Sequence, residues 1–194
     1  YDASVGLSDE DDSYPFAGYK KVLGSIYRQV MAMGRPDVLD IGFGTGVLTA
    51  KLYDGGCHIF GQDFSPRMIA KAQEKMPEAT LMQGDFSQGL CGALKTRKYD
   101  AIIATYSLHH LNLGQKIRFI GELLPCLTEN GRIFIGDVAF ETAKEQAACA
   151  RDSGDEWDAD EFYFVMEELQ DGFLIPMTFE KLSHCAGVIT LAAK

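Results

Sequence analysis

The chain has 194 residues, 46% of them hydrophobic and 24% charged, with a formal net charge of −10. That length and apolar share suit one globular domain with a sizeable core and exclude a disordered chain. The acidic balance repels phosphate backbones and anionic membranes, and no apolar run reaches the roughly 18 residues needed to span a bilayer.

In chain order, the first pattern is helical. Tyr19, Val22, Leu23, Ile26, Tyr27 and Val30 space a helix over Phe16–Met33, ended by Gly34-Arg35-Pro36. The acidic run Asp9–Asp12 before it reads as a solvated loop. Val38–Ile41 is a short apolar strand that runs through Asp40 into Gly42-Phe43-Gly44-Thr45-Gly46. Strand, glycine turn and helix in that order open the nucleotide crevice of a doubly wound α/β sheet. The helix is predicted over Val47–Tyr53 and is stopped by Gly55-Gly56. A second strand, His58–Gln62, leads to Asp63. Ser65-Pro66 then starts a helix, with serine as cap and proline in the first turn. Ile69, Ala72 and Met76 share its face, and Pro77 terminates it.

Strand three spans Ala79–Gln83 and is followed by Gly84-Asp85-Phe86. Residues 86–98 carry only a short helical hint. Strand four is Asp100–Thr105, followed by Tyr106 and then Ser107-Leu108-His109-His110. Leu113, Ile117, Ile120, Leu124 and Leu127 predict an amphipathic helix over Leu113–Leu127. Asn130-Gly131 is a turn signal, and Arg132–Val138 is strand five. The segment Phe140–Gln170 reads as mostly helical, with Phe162, Val165, Met166 and Leu169 on one face and acids between Asp152 and Glu161. Phe179–Ala186 reads as helix, which leaves residues 187–194 for one last strand. Strands alternating with helices imply a parallel sheet.

The glycine spacing separates nucleotide sites. It is G-x-G-x-G, with Val47 where a dinucleotide fingerprint places its last glycine, and no lysine follows to make a phosphate cradle. Asp40, two residues before Gly42, suits a ligand bearing an ammonium or sulfonium better than a pyrophosphate. The five cysteines are odd in number, widely spaced and without C-x-x-C, which is a reduced-compartment pattern with no metal site.

With these residues the chain resembles the class I S-adenosylmethionine-dependent methyltransferases. The matching stretches are Asp40–Gly46, Gly61–Ser65, Gly84–Phe86, Tyr99–Ile103 leading to Ser107–Leu111, and Gly131–Asp137. The likeness covers about the whole chain and lies nearest to small stand-alone bacterial methyltransferases of unassigned substrate. It implies a doubly wound, Rossmann-like, mostly parallel α/β sheet. The family usually closes that sheet with two antiparallel C-terminal strands, so this chain is expected to lack one, or to be missing part of its sequence.

The resemblance also implies the cofactor S-adenosylmethionine and assigns site residues. Gly42, Gly44 and Gly46 bring backbone amides to its methionyl part, and Asp40 helps to position the amino group. Asp63 accepts from the ribose hydroxyls, as an acceptor-only carboxylate can. Asp85 accepts from the adenine amino group while the Phe86 amide donates to the ring. Thr105, Tyr1, Tyr19 and Tyr106 are candidates to line or close the site. No catalytic residue is assigned. His109 and His110 sit where a general base for an O–H, N–H or S–H acceptor would stand, and equally where a loop-packing histidine would. The nucleic-acid amino-methyltransferase motif Asp/Asn-Pro-Pro-Tyr is replaced by Ala104-Thr105-Tyr106-Ser107.

The expected protein is a single domain over residues 1–194 that methylates a small molecule at O, N or S. It is expected to be cytoplasmic, without nucleic-acid or membrane partners, and monomeric or homodimeric. Residues 1–33 and 140–170 are expected to cover the crevice. A non-catalytic module binding S-adenosylmethionine or S-adenosylhomocysteine is the alternative. A nicotinamide-dependent oxidoreductase fits the glycine spacing poorly.

Overall fold

A computed structural model describes residues 13–193. The elements, in chain order, are α1 (Tyr19–Met31), β1 (Asp37–Ile41), α2 (Val47–Asp54), β2 (His58–Asp63), α3 (Pro66–Lys75), β3 (Thr80–Gln83), α4 (Gly92–Lys95) and β4 (Tyr99–Thr105). They continue as α5 (Leu113–Leu123), β5 (Leu127–Phe140), α6 (Ala143–Ser153), β6 (Phe164–Val165), α7 (Met166–Gln170), β7 (Met177–Lys181) and β8 (Ala186–Ala192). The main sheet runs β3-β2-β1-β4-β5-β8-β7, with the short β6 pairing β5 separately. Strands β1 to β5 are mutually parallel, and β8 is antiparallel to both neighbours. The expected doubly wound, mostly parallel α/β fold is therefore the observed one.

Strand order reverses between β1 and β4, which stand side by side although β2 and β3 come between them in sequence. Ligands of open α/β sheets bind beyond the carboxyl ends of the strands at such a switch point. The sheet is covered on both faces. Val22, Ile26 and Val30 of α1 bury with Val38, Ile103 and Phe134 on one side. Phe119, Ile120 and Leu123 of α5 bury with Leu39, Ile102 and Ile133 on the other. Helix α1 lies close on β5 because Gly136 leaves room for it. A Cβ there would stand 2.5 Å from Val22 Cγ1.

Several boundaries differ from the sequence expectation. Helix α1 begins at Tyr19 rather than Phe16, because Gly18 takes a left-handed φ of 77° as its cap. Helix α5 stops at Leu123, since Pro125 follows, and Leu127 already belongs to β5. The Asn130-Gly131 signal is an irregularity inside β5, where the pairing with β4 jumps from Leu127 opposite Tyr99 to Arg132 opposite Ala101. Of Phe140–Gln170, only Ala143–Ser153 and Met166–Gln170 are α-helical. Phe162 is exposed rather than part of a shared apolar face, and Val165 belongs to β6.

The missing strand is the main correction. Phe179–Ala186 is not a helix. Met177–Lys181 forms β7, and a turn delivers the chain into β8. Met177 and Phe179 pack on the core while Thr178 and Glu180 face outward, a period of two. Phe179 seats directly over Gly187, whose added Cβ would lie 2.4 Å from the ring.

Candidate functional site

The glycine turn between β1 and α2 is built from left-handed backbone. Gly42, Gly44 and Gly46 have φ of 69°, 55° and 72°, a region costly for residues with a Cβ. Gly42 is also pressed sterically, since a Cβ there would stand 2.5 Å from Ser107 Cβ. Ser107 in turn donates to the Ile41 carbonyl at 2.9 Å and ties the loop after β4 to the end of β1.

Asp63, at the end of β2, holds the turn from the other side. Its Oδ2 accepts from the Gly44 amide and its Oδ1 from the Ser65 amide, each at 2.8 Å. The residue is buried, yet it faces a cavity of about 320 Å³. That volume falls within the usual range for small-molecule sites. Tyr19, Gly42, Gly44, Asp63, Phe86 and Thr105 all line it, as do Tyr106 and His110. Tyr106 has a φ of 49°, and its ring lies 5.0 Å from that of Tyr19 and 5.6 Å from that of Phe16. A left-handed non-glycine residue stores strain, a feature that clusters at functional sites.

Three of the sequence candidates lie off the cavity wall. Asp40 is buried beneath the turn, where it accepts from the Thr49 hydroxyl and leaves Oδ1 without a partner among the described residues. Gly46 faces Met76 and Ala72. Asp85 is exposed and caps the short turn Phe86–Gln88 by accepting from the Ser87 amide at 2.8 Å. Tyr1 lies outside the described residues. Ser107, Thr49, Phe43, Leu23 and Met68 line the cavity without having been singled out for it. Leu23 and Met68 could have been found by extending the helical stripes of α1 and α3, whereas Ser107 carries no local signal.

Burial pushes the Asp40 carboxyl up to about 7, opposed by the Thr49 hydrogen bond and aided by the charge of Asp63. The folded protein thus holds this proton more tightly than the unfolded chain. The stabilisation is complete below the ordinary carboxylate range and is lost as pH rises towards about 7. Asp40→Asn is therefore expected to flatten the decline in stability between pH 5 and 8. The expected gain at pH 8 is about 1 kcal/mol or more, or roughly 2–4 °C in Tm. Calorimetric scans at both pH values check this, and an equal loss at both would rule out the protonation account.

A second group of polar residues lies at the far end of the cavity. His109 Nδ1 is 2.7 Å from Asp137 Oδ1, which also accepts from the Val138 amide at 2.8 Å. His109 Nε2 is 3.5 Å from Glu161 Oε1. Burial works against the imidazolium, but the carboxylates of Asp137 and Glu161 outweigh it and raise the His109 pKa. The rings of His109 and His110 are 4.4 Å apart. His109, His110 and Glu161 each offer a ligand atom within 4.8 Å of the others, a donor set compatible with a divalent cation where no metal had been expected.

The segments before α1 and after β5 meet over this end. Tyr14 stacks on Trp157 with ring centroids 5.2 Å apart, and its hydroxyl bonds to that of Tyr163. The Asp158 amide donates to the same Tyr14 hydroxyl at 3.1 Å. Among the described residues, no helix is long and apolar enough to cross a membrane.

A family model described as a methyltransferase domain matches residues 38–131, the stretch from β1 into β5. An uncharacterised methyltransferase of Geobacillus thermodenitrificans is 35% identical over 158 residues, covering 79% of this chain and 70% of the relative. One from Anoxybacillus flavithermus is 34% identical over 140 residues, covering 72% of this chain. The chain spans only 63% of that relative's length. Among solved structures, magnesium protoporphyrin IX methyltransferase from Synechocystis with bound S-adenosylhomocysteine superposes with a TM-score of 0.69. It is 20% identical, with 92% of this chain and 85% of that one covered, and shares the fold.

Proposed function

Because this chain belongs to the family of class I S-adenosylmethionine-dependent methyltransferases, we propose that it binds S-adenosylmethionine in the 320 Å³ cavity and transfers its methyl group to a small acceptor at O, N or S. The observation that carries this reading is the joint placement of the left-handed glycine turn and Asp63. Together they present a side-chain-free turn and an acceptor-only carboxylate to one cavity at the switch point of the sheet, although the Gly42, Gly44 and Gly46 amides expected at the methionyl part donate instead to Gln62, Asp63 and Phe43.

In this reading each Asp63 oxygen, already bonded to one backbone amide, keeps acceptor capacity for a ribose hydroxyl. Phe86 packs along the adenine, with Asp85 at its exposed edge. Asp40 acts from beneath, by holding Thr49 and the start of α2, and not by contact. Tyr19, Thr105 and Tyr106 close the methyl-bearing end. The donor supplies an electrophilic methyl on a sulfonium with a good thioether leaving group, so alignment and exclusion of water do most of the work.

The acceptor is a small molecule rather than nucleic acid, given a net charge of −10. Residence in the cytoplasm, as a monomer or homodimer, completes the reading. The thiols of Cys57, Cys91, Cys126 and Cys149 support a reducing compartment.

Calorimetric titration with S-adenosylmethionine tests the core of the reading, and the absence of binding at millimolar donor would end it. We also take residues 140–170 and the described part of 1–33 as one cover over the crevice, supported by the Tyr14–Trp157 stack; residues 1–12 lie outside the described residues. Donor binding should then slow hydrogen exchange in 14–31 and 157–165 as well as in 42–46. Protection confined to the glycine turn would remove the cover.

A further inference from the structure

Beside the donor cavity lies a second one of about 150 Å³. Tyr106 and His110 line both, so the two spaces share a wall. Pro15, Phe16 and Val138 make the apolar side of the smaller space, and His109 and Glu161 the polar side. An apolar cavity of about this volume, 150 Å³, holds one benzene ring. We propose that the small cavity seats the methyl acceptor, an uncharged molecule presenting a phenol-sized ring with a free hydroxyl, and that the His110 imidazole is the general base for that hydroxyl. This rests on the larger cavity taking S-adenosylmethionine.

The two histidines are not equivalent. His109 has Nδ1 hydrogen-bonded to Asp137 at 2.7 Å, while Nε2 stands 3.5 Å from Glu161, an ion-pair distance rather than a hydrogen bond. Against burial, those carboxylates raise its pKa, and it does not line the larger cavity. His110 sits against it, ring to ring at 4.4 Å. Desolvation first and the His109 charge second lower its pKa, against the pull of Glu161, Asp137 and Asp158. The shift favours the unprotonated, accepting form of His110, which lines both cavities.

The acceptor class follows from the same groups. His109 faces two carboxylates, Asp137 and Glu161, so the polar wall carries no net positive charge to anchor an anionic acceptor. The remaining wall is aromatic and aliphatic. A positioned base matters most for a hydroxyl, which is a poor nucleophile until it loses its proton, whereas a neutral amine attacks with its lone pair. In the step, the acceptor oxygen bonds to the methyl carbon as the carbon–sulfur bond breaks, with its electron pair returning to sulfur. The hydroxyl proton goes to the unprotonated nitrogen of His110, whose exposed edge then releases it to water.

The test uses the full chain, methyl-labelled S-adenosylmethionine, and phenol and thiophenol as probes of equal size. Thiophenol is largely ionised in neutral water and needs no base. The wild type should methylate both. H110Q should lose about 100-fold or more with phenol and far less with thiophenol, with S-adenosylhomocysteine affinity measured alongside so that any loss of donor binding is divided out. The phenol rate should rise with pH through a value below that of a free histidine. Phe16→Trp, which fills the small cavity, should abolish transfer to both probes while leaving S-adenosylhomocysteine affinity intact. Equal losses of H110Q on the two probes, or no transfer to either by a protein that binds the donor, would overturn the proposal. So would loss of transfer on chelation with recovery on adding a divalent cation, since the imidazoles would then be ligands. Absence of donor binding would instead defeat the reading beneath it.

Discussion

Gly42→Ala is expected to abolish measurable S-adenosylmethionine binding and to destabilise the fold by about 2–4 kcal/mol, the sum of a left-handed alanine and an overpacked contact. The backbone there has a φ of 69°. The new methyl would stand 2.5 Å from Ser107 Cβ and 3.0 Å from its Oγ. Ser107 cannot swing aside cheaply, because its hydroxyl is bonded to the Ile41 carbonyl at 2.9 Å. Relief would have to come from shifting the turn, and with it the wall that Gly42, Phe43, Gly44 and Thr45 give the cavity. Gly44→Ala is the internal control. Its φ is 55°, but nothing lies within 4 Å of the added Cβ, so only the conformational cost of about 1 kcal/mol remains. Denaturant titration and calorimetry on the two variants separate the effects. Equal losses would show that backbone strain, and not the Ser107 contact, governs this turn.

Asp63→Ala should weaken S-adenosylhomocysteine binding by about 1–3 kcal/mol, on the order of 10- to 100-fold in Kd. The carboxylate is 7% exposed and accepts from the Gly44 and Ser65 amides at 2.8 Å each. Alanine leaves both donors without their partner and removes the acceptor offered to the cavity. Asp63→Asn keeps one carbonyl oxygen and turns an amide group towards a backbone donor, so it should recover only part of the loss. Using the demethylated product keeps turnover out of the measurement. Unchanged affinity in the alanine variant would place the ribose elsewhere in the cavity.

The parts of this molecule that were legible in the sequence are those whose signals are local. The glycine turn announces itself because Gly42, Gly44 and Gly46 meet a conformational demand within a few residues. Asp63 is legible because a strand ends there and a serine-capped helix begins two residues on. Strand β7 was not legible. It is an edge strand of five residues with only Met177 and Phe179 turned inward, and an isolated alternation that short resembles one face of a helix. The His109–Asp137 pair is beyond any local pattern. The partners are 28 residues apart and meet only because β4 and β5 lie side by side in parallel. Asp40 shows a third kind of failure. It was expected to help position the cofactor's amino group, whereas it lies off the cavity wall with Oδ2 on Thr49, nine residues away, and Oδ1 without a partner among the described residues.

The two cavities are made by different parts of the chain. The larger is walled chiefly by strand ends and by turns of the sheet, held by the Gly44–Asp63 and Ile41–Ser107 bonds. The smaller is completed by Pro15, Phe16 and Glu161, which come from two peripheral stretches fastened to each other by Tyr14, Trp157 and Tyr163. Drift in those stretches would reshape the smaller chamber first and reach the larger through the shared Tyr106 and His110. Lineages sharing this sheet are thereby free to diverge in what they modify while inheriting a common donor.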